Sequence, residues 1–386
     1  MSGVKIFIRL FIIFILFFSS GFLKAQDSSH IRISLLTCTP GDELYSTFGH
    51  SALRITDSSS VFDVVFNYGT FNFDDNNFYL KFVRGKLLYF VSADNFIDFK
   101  NFYQSIGRGI TEQVLNFSPE EKLKIEALMF NNIKEENKYY KYDFFFDNCT
   151  TRLRDIIVKA KNPPPVFRAV MPAGTTFRDA IHAYLDAGDK DWSKLGIDLL
   201  LGAKTDRVMS VSESQFLPDI LMQTIDSANA QNKLLLSKSN LLPFTNENAK
   251  PKTGTPFLSF SFLLLLIIGL SFSKNIFVQK FLFGFDGIFF FITGLLGVLL
   301  ILMWTATDHV LCSNNWNLWW AFPFNLIAAF FVGSKKNWVK KYFLFLAISL
   351  SGLLLCWYFL PEKLNPAFIP VVLLMIFRSI TIYFKK

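Results

Sequence analysis

The chain has 386 residues, 51% of them hydrophobic, and a formal charge of +8. The charge is unevenly placed: the first 25 residues carry +3, residues 26–255 sum to −2, and the apolar remainder carries +7. An excess that sits on an N-terminal leader and between apolar segments is orientation charge, which excludes a nucleic-acid-binding face, and Cys38 and Cys149 alone do not make residues 26–256 a disulfide scaffold.

In chain order, Met1 to Ala25 reads as a secretory signal: Lys5 and Arg9, an apolar run from Leu10 to Phe18, then Leu23-Lys-Ala25 before Gln26. No cysteine follows the cut, so a lipid-anchored mature N-terminus is not expected; an uncleaved anchor is the alternative. Ile31 to Leu36, Phe48 to Thr56, Val61 to Tyr68, Leu87 to Ser92 and Ile110 to Phe117 have strand character, bounded by turn residues such as Thr39-Pro-Gly41 and Asp57-Ser-Ser-Ser60. A helical stretch runs from Asn95 to Tyr103. Ser118-Pro-Glu-Glu121 is a capping box that opens a helix expected to reach Lys138. A further helix begins at Cys149, with Leu153, Ile156, Ile157 and Ala160 on one stripe, and others are expected over 176–187, 192–201 and 214–230. Residues 241–256 form a polar linker.

Five apolar segments follow, over 257–272, 282–304, 318–333, 342–360 and 367–384. Lys274, Lys280, Lys335, Lys336, Lys340, Lys341, Lys385 and Lys386 fall in the first loop, the third loop and the C-terminus, whereas Thr305 to Asn317 has no Lys or Arg. The positive-inside rule then puts the basic loops and the C-terminus in the cytoplasm, and residues 26–256 with the Thr305–Asn317 loop outside it, as the signal also requires. The expected class is an α+β exported domain (26–240), a small antiparallel sheet with helices, followed by an all-α membrane bundle of about five helices (257–386). Trp304, Trp316, Trp319 and Trp320 are expected in an interfacial belt, and Asp286 and Arg378 are expected to snorkel.

The stretch Asp147-Asn-Cys149 puts a thiol where a helix starts, with Asp147 or Asn148 as N-cap. A helix N-terminus favours the thiolate, which is the nucleophile. Against this stands a buried structural cysteine, or a disulfide with Cys38. His50, between Gly49 and Ser51 at the start of a strand, is the natural base; His182 is mid-helix and His30 is terminal. Asp63 or Asn67 on the next strand can orient the imidazole, and period-2 alternation puts both on one face, so spacing does not choose between them. Backbone N–H groups at the helix start, with Asn148, are candidates to hold an oxyanion. No metal-binding cluster and no cofactor motif is expected.

Histidine before cysteine, with Asn-Cys opening a helix, resembles circularly permuted papain-like enzymes, including the lecithin retinol acyltransferase group. More closely, Leu36-Thr-Cys-Thr-Pro-Gly-Asp-Glu43, Phe48-Gly-His-Ser-Ala-Leu-Arg54, Asn67-Tyr-Gly-Thr-Phe71 and Asp147-Asn-Cys-Thr-Thr151 resemble the Lnb-type lipoprotein intramolecular transacylase family. Thr307-Asp-His309 and Asn315-Trp-Asn-Leu-Trp-Trp-Ala-Phe-Pro323 resemble its membrane part, and the aromatic-rich form resembles a Bacteroidetes branch. The resemblance implies a membrane-integral enzyme that moves the sn-2 acyl chain of a diacylated lipoprotein to the amine of its N-terminal cysteine. Cys149 is then the nucleophile and His50 its base. Asp308, His309 and Asn317 are candidate contacts to the lipidated headgroup, with solvated loop groups as the plain reading. The alternatives are an envelope cysteine peptidase or amidase, and a non-catalytic membrane-anchored binding module.

Overall fold

The computed structural model describes residues 30–228, 233–245 and 254–385. The expected signal peptide and residues 246–253 of the expected linker lie outside the described residues. The N-terminal part is built on β1 (Ile31–Cys38), β2 (His50–Asp57), β3 (Phe62–Thr70), β4 (Leu88–Asn95), β5 (Ile110–Leu115), β6 (Tyr139–Lys141) and β7 (Leu235–Leu242). Among the described residues these form one seven-stranded antiparallel sheet in the order β6-β4-β3-β2-β1-β5-β7. Helices α1 (Phe78–Val83), α2 (Phe96–Ser105), α3 (Pro119–Asn132), α4 (Cys149–Ala160), α5 (Phe177–Ala187), α6 (Asp191–Leu200) and α7 (Pro218–Asp226) are interleaved with the strands.

The strands at the centre are apolar on both faces because both faces are covered. On one face Ile33, Leu35, Leu53, Ile55 and Phe66 pack with Ile125 and Met129 of α3, Leu153 and Ile157 of α4, and Leu221 and Ile225 of α7. On the other, Leu36, Cys38, Ala52 and Val65 pack with Phe96, Phe99 and Tyr103 of α2. The capping box of Ser118 and Glu121 starts α3 as expected, but α3 stops at Asn132, where Lys134-Glu-Glu-Asn137 turns the chain into β6. Three elements are not expected from the sequence: α1, β6 and β7. The last is an edge strand bonded only to β5, mostly exposed, so its sequence carries little apolar alternation.

The C-terminal part contains α8 (Pro256–Ser271), α9 (Ile276–Thr305), α10 (Asn337–Cys356) and α11 (Ile369–Phe384). Among the described residues three helices, Ile276–Thr305, Asn337–Phe359 and Pro366–Phe384, are long and apolar enough to cross a membrane; α8 is apolar but has 16 residues. The expected segment 318–333 is not one helix. Pro323 removes a backbone donor, and the chain at Ala321 and Leu326 presses so closely on Gly297 and Gly294 of α9 that a Cβ at either glycine would collide with backbone. Buried Asn325 ties this broken segment to Thr293 of α9 (3.2 Å) and to Tyr342 of α10 (2.6 Å). Irregular backbone of this kind is tolerated where protein covers it.

Asp286 and Arg378 do not snorkel. Both are buried and form a bidentate pair (2.6 and 2.8 Å), with Ser271 completing the guanidinium's partners, because their helices face each other inside the bundle. Trp320 does not join an interfacial belt either: it is buried against Phe368, and its indole N–H donates to Asn317.

The two parts share a closely packed junction. Gly202 N–H donates to Leu311 O (2.8 Å) and Ala203 N–H to Asn314 O (3.1 Å), an approach that only a glycine at 202 permits. Fully buried Arg178 of α5 bonds Asp198 at 2.7 Å and Asp206 at 3.1 Å and reaches Glu362 of the α10–α11 loop at 3.8 Å.

Candidate active site

Cys149 is the first residue of α4, and its position follows from the cap. Asn148 Oδ1 accepts the N–H groups of Thr150 (2.9 Å) and Thr151 (2.8 Å), while Thr151 Oγ1 accepts the Asn148 N–H (2.8 Å). The Asn148 amide also donates to Phe144 O and Phe216 O, so the side chain is fully used in structure. It is therefore a cap and not an oxyanion donor. Asp147, the other cap candidate, instead holds Arg152 in a bidentate pair, with distances of 2.6 and 2.8 Å.

His50 opens β2, opposite Cys38 of β1, and lines the same cavity as Cys149, close enough for each charge to act on the other group. Nε2 of His50 lies 3.2 Å from Asn67 Oδ1, and the Asn67 amide donates to Asp94 Oδ2 at 2.8 Å. Asn67 thus presents oxygen to the imidazole, which fixes the proton on Nε2 and leaves Nδ1 for sulfur. The other orienting candidate, Asp63, is taken by Arg54 in a bidentate pair (2.7 and 2.6 Å) further along β3. Both side chains share a face, but only that of Asn67 reaches His50.

Burial pushes the Cys149 thiol up, but the His50 charge and hydrogen bond, the Ser51 backbone N–H and the Thr150 hydroxyl outweigh it and bring the thiol down to about 7. Burial pulls His50 down, and the Cys149 charge, its hydrogen bond and that of Asn67 raise it above its ordinary value. Cys38 is opposite: burial pushes it up to about 12, and both cysteines are free thiols. Gly49 has φ +81°, but the close approach it permits is to Cys38 O, which a Cβ at this position would meet at 2.8 Å, rather than to a substrate.

A cavity of about 760 Å³ opens on this pair and is lined by both parts of the chain, including Tyr103, Arg108, Tyr142, His309 and Leu311. His309 is at its membrane-side wall, its Nε2 donating to Phe82 O (3.2 Å); Asp308 beside it pairs with Lys141 (3.0 Å). Asn317 is elsewhere: fully buried at the junction, it donates to Asp198 O and Glu362 and accepts from Trp320. It holds the two parts together and does not face the cavity. Sequence reasoning missed Asp94, the Ser51 N–H and Arg108. Asp94 enters only through the β3–β4 register, which places Asn67 opposite Ser92, and sequence spacing does not reveal that pairing.

Fold and site define a membrane-anchored protein whose exported α+β domain holds a thiol–imidazole pair in a cavity shared with the loop that follows α9. The family model of the Lnb N-terminal periplasmic domain matches residues 19–178, and that of the Lnb transmembrane domain matches residues 248–386. The chain belongs to the Lnb-type family, a family of membrane-anchored lipoprotein-modifying enzymes with an exported N-terminal domain. No curated protein and no solved structure matches it.

Proposed function

We propose that this protein is a lipoprotein N-acyl transferase with Cys149 as nucleophile, in a permuted papain-like domain on the periplasmic side of the inner membrane, with a signal peptide and a cytoplasmic C-terminus. The observation that carries the reading is Cys149 beside His50 on one cavity shared with His309 of the membrane part, with His50 held by Asn67 at 3.2 Å. The thiolate attacks the sn-2 ester carbonyl of a diacylglyceryl lipoprotein; the S–C bond forms, the ester C–O bond breaks, and His50 gives its proton to the departing glycerol oxygen. The lipoprotein's neutral N-terminal amine then attacks the thioester, His50 takes the amine proton, and the C–S bond breaks. The products are the N-acyl lyso-lipoprotein and free Cys149. The Ser51 N–H favours the thiolate against the burial that opposes it, and a predominantly apolar cavity keeps water from the thioester.

The test is expression of the chain, and of Cys149→Ala, in cells lacking lipoprotein N-acylation, with mass spectrometry of lipoprotein N-termini. N-acyl lyso-lipopeptide is expected from the unmodified chain alone. Its absence from both samples refutes the transacylase reading. Cleaved peptide or amide products dependent on Cys149 would favour the peptidase.

A further inference from the structure

Helix α1 reads Phe-Tyr-Leu-Lys-Phe-Val, yet it buries none of its residues. Tyr79 is 78% exposed, and Leu80, Phe82, Val83 and the preceding Phe73 are exposed with it. Its one charged side chain, Lys81, is paired with Asp75 (2.6 Å), and so large an exposed apolar surface on one short helix marks a site that another apolar phase covers. The position of α1 identifies that phase. Asp308 N–H donates to Arg84 O (3.0 Å), the Phe82 carbonyl accepts from His309, and Gly85, with φ +66°, lets the chain pass within contact of both Asp308 and His309. Asp308 follows the end of α9 at Thr305 by three residues, so α1 is held at the level where a membrane-spanning helix leaves the bilayer. Exposed Arg84 and Lys86 flank it as headgroup-facing cations would. Phe82 also lines the cavity, whose rim is completed by exposed Leu44, Tyr45, Phe102 and Ile106.

We infer that α1 and the Leu44–Tyr45 turn dip into the adjoining lipid leaflet, so that the cavity leading to Cys149 opens sideways into the acyl-chain layer and not into water. The occupant of this surface is membrane lipid. Entry of an acyl chain through the mouth rests on the acyl transfer proposed above; immersion of α1 does not. A lateral mouth lets the chain to be transferred reach the thiol without exposing its methylenes to water.

The full-length protein in phosphatidylethanolamine–phosphatidylglycerol vesicles, with a photo-crosslinking phenylalanine at Tyr79, Tyr45, Phe330 or Val166, tests immersion by mass spectrometry of the adducts. Phe330 is an exposed residue of the membrane part and serves as positive control; exposed Val166 of the exported domain serves as negative control. Lipid adducts at 79 and 45, as at 330 and not at 166, are expected. Adducts at 330 but none at 79, or protein adducts in place of lipid at 79, overturn the inference. The pair Tyr79→Asp and Leu80→Asp should raise KM for a vesicle-held lipopeptide at least about tenfold. The alkylation rate of Cys149 by iodoacetamide in detergent solution, where no bilayer covers the mouth, should stay unchanged and report a folded site. An unchanged KM with that reagent control intact overturns the mouth. Lipid adducts without any acyl transfer would instead count against the proposed reaction and leave immersion standing.

Discussion

Removing the imidazole separates its two effects on the thiol. In His50→Ala, Cys149 loses the strongest influence that lowers it, while burial, the largest influence overall, is unchanged. The thiol should therefore rise from about 7 to its ordinary 9.0 or above. At pH 7 the thiolate fraction then falls from about one half to about 1% or less. The more basic thiolate is intrinsically more nucleophilic, by about 6- to 10-fold over two pH units at a Brønsted slope near 0.4–0.5. Alkylation by iodoacetamide should accordingly be roughly five- to tenfold slower than wild type at pH 7 but faster on the alkaline plateau, so the two pH–rate curves cross. The helix dipole contributes only about 0.3–1 kcal/mol and does not replace the imidazole. The measurement is the pH dependence of labelling at the Cys149 peptide, which also excludes signal from exposed Cys356. A midpoint that stays near 7 in His50→Ala would refute the assignment of the low thiol to this pair.

Asn67→Ala leaves His50 Nε2 without its acceptor, and acyl transfer should fall about 10- to 100-fold with the labelling midpoint moved upward. Asn148→Ala removes the cap of α4 and two donors to buried carbonyls; a loss of about 2–4 kcal/mol is expected in thermal unfolding in detergent, and lost activity at unchanged Tm would instead give Asn148 a part in the chemistry. Gly297→Ala drives a methyl into the Ala321 carbonyl and should destabilise the membrane part by about 1–3 kcal/mol, with little change in the Cys149 midpoint. Asp286→Leu strands the buried Arg378 guanidinium and should cost about 3–5 kcal/mol, much of it recovered when Arg378→Leu is added.

Much of the exported domain is legible in the sequence because local chemistry and tertiary structure agree there. Ser118-Pro-Glu-Glu121 caps α3, and the stripe from Leu153 to Ala160 is buried as its spacing requires. The candidate site is legible only where residue type restricts the choice. Few histidines and two cysteines point to His50 and Cys149, and the fold brings those two together. What spacing leaves open is decided by pairing across strands: Arg54 claims Asp63, and β4 supplies Asp94 behind Asn67. The third membrane segment misleads because hydropathy counts apolar side chains and ignores backbone approach, which Gly294, Gly297 and Pro323 control. Asn317 misleads for a related reason: its nearness in sequence to His309 suggests a place at the cavity, although the chain between them turns away into the junction.

That junction explains why so many charged groups are buried far from the thiol. Arg178 faces Asp198, Asp206 and Glu362, more carboxylates than one guanidinium neutralises. Burial pushes Glu362 up to about 8, toward the neutral form that leaves less unneutralised negative charge in the cluster. Burial also pushes Asp198 up, but hydrogen bonds and charge from His182 and Arg178 outweigh it and keep it ionised. Glu362 accepts the Trp316 N–H and the Asn317 amide, which carries the loop that continues back to His309. The cluster thus fixes the exported domain against the membrane helices through a few directional bonds. It holds in register the two parts whose residues, His309 and Phe82 of α1 among them, line the Cys149 cavity. An apolar contact of the same area would give adhesion without this register.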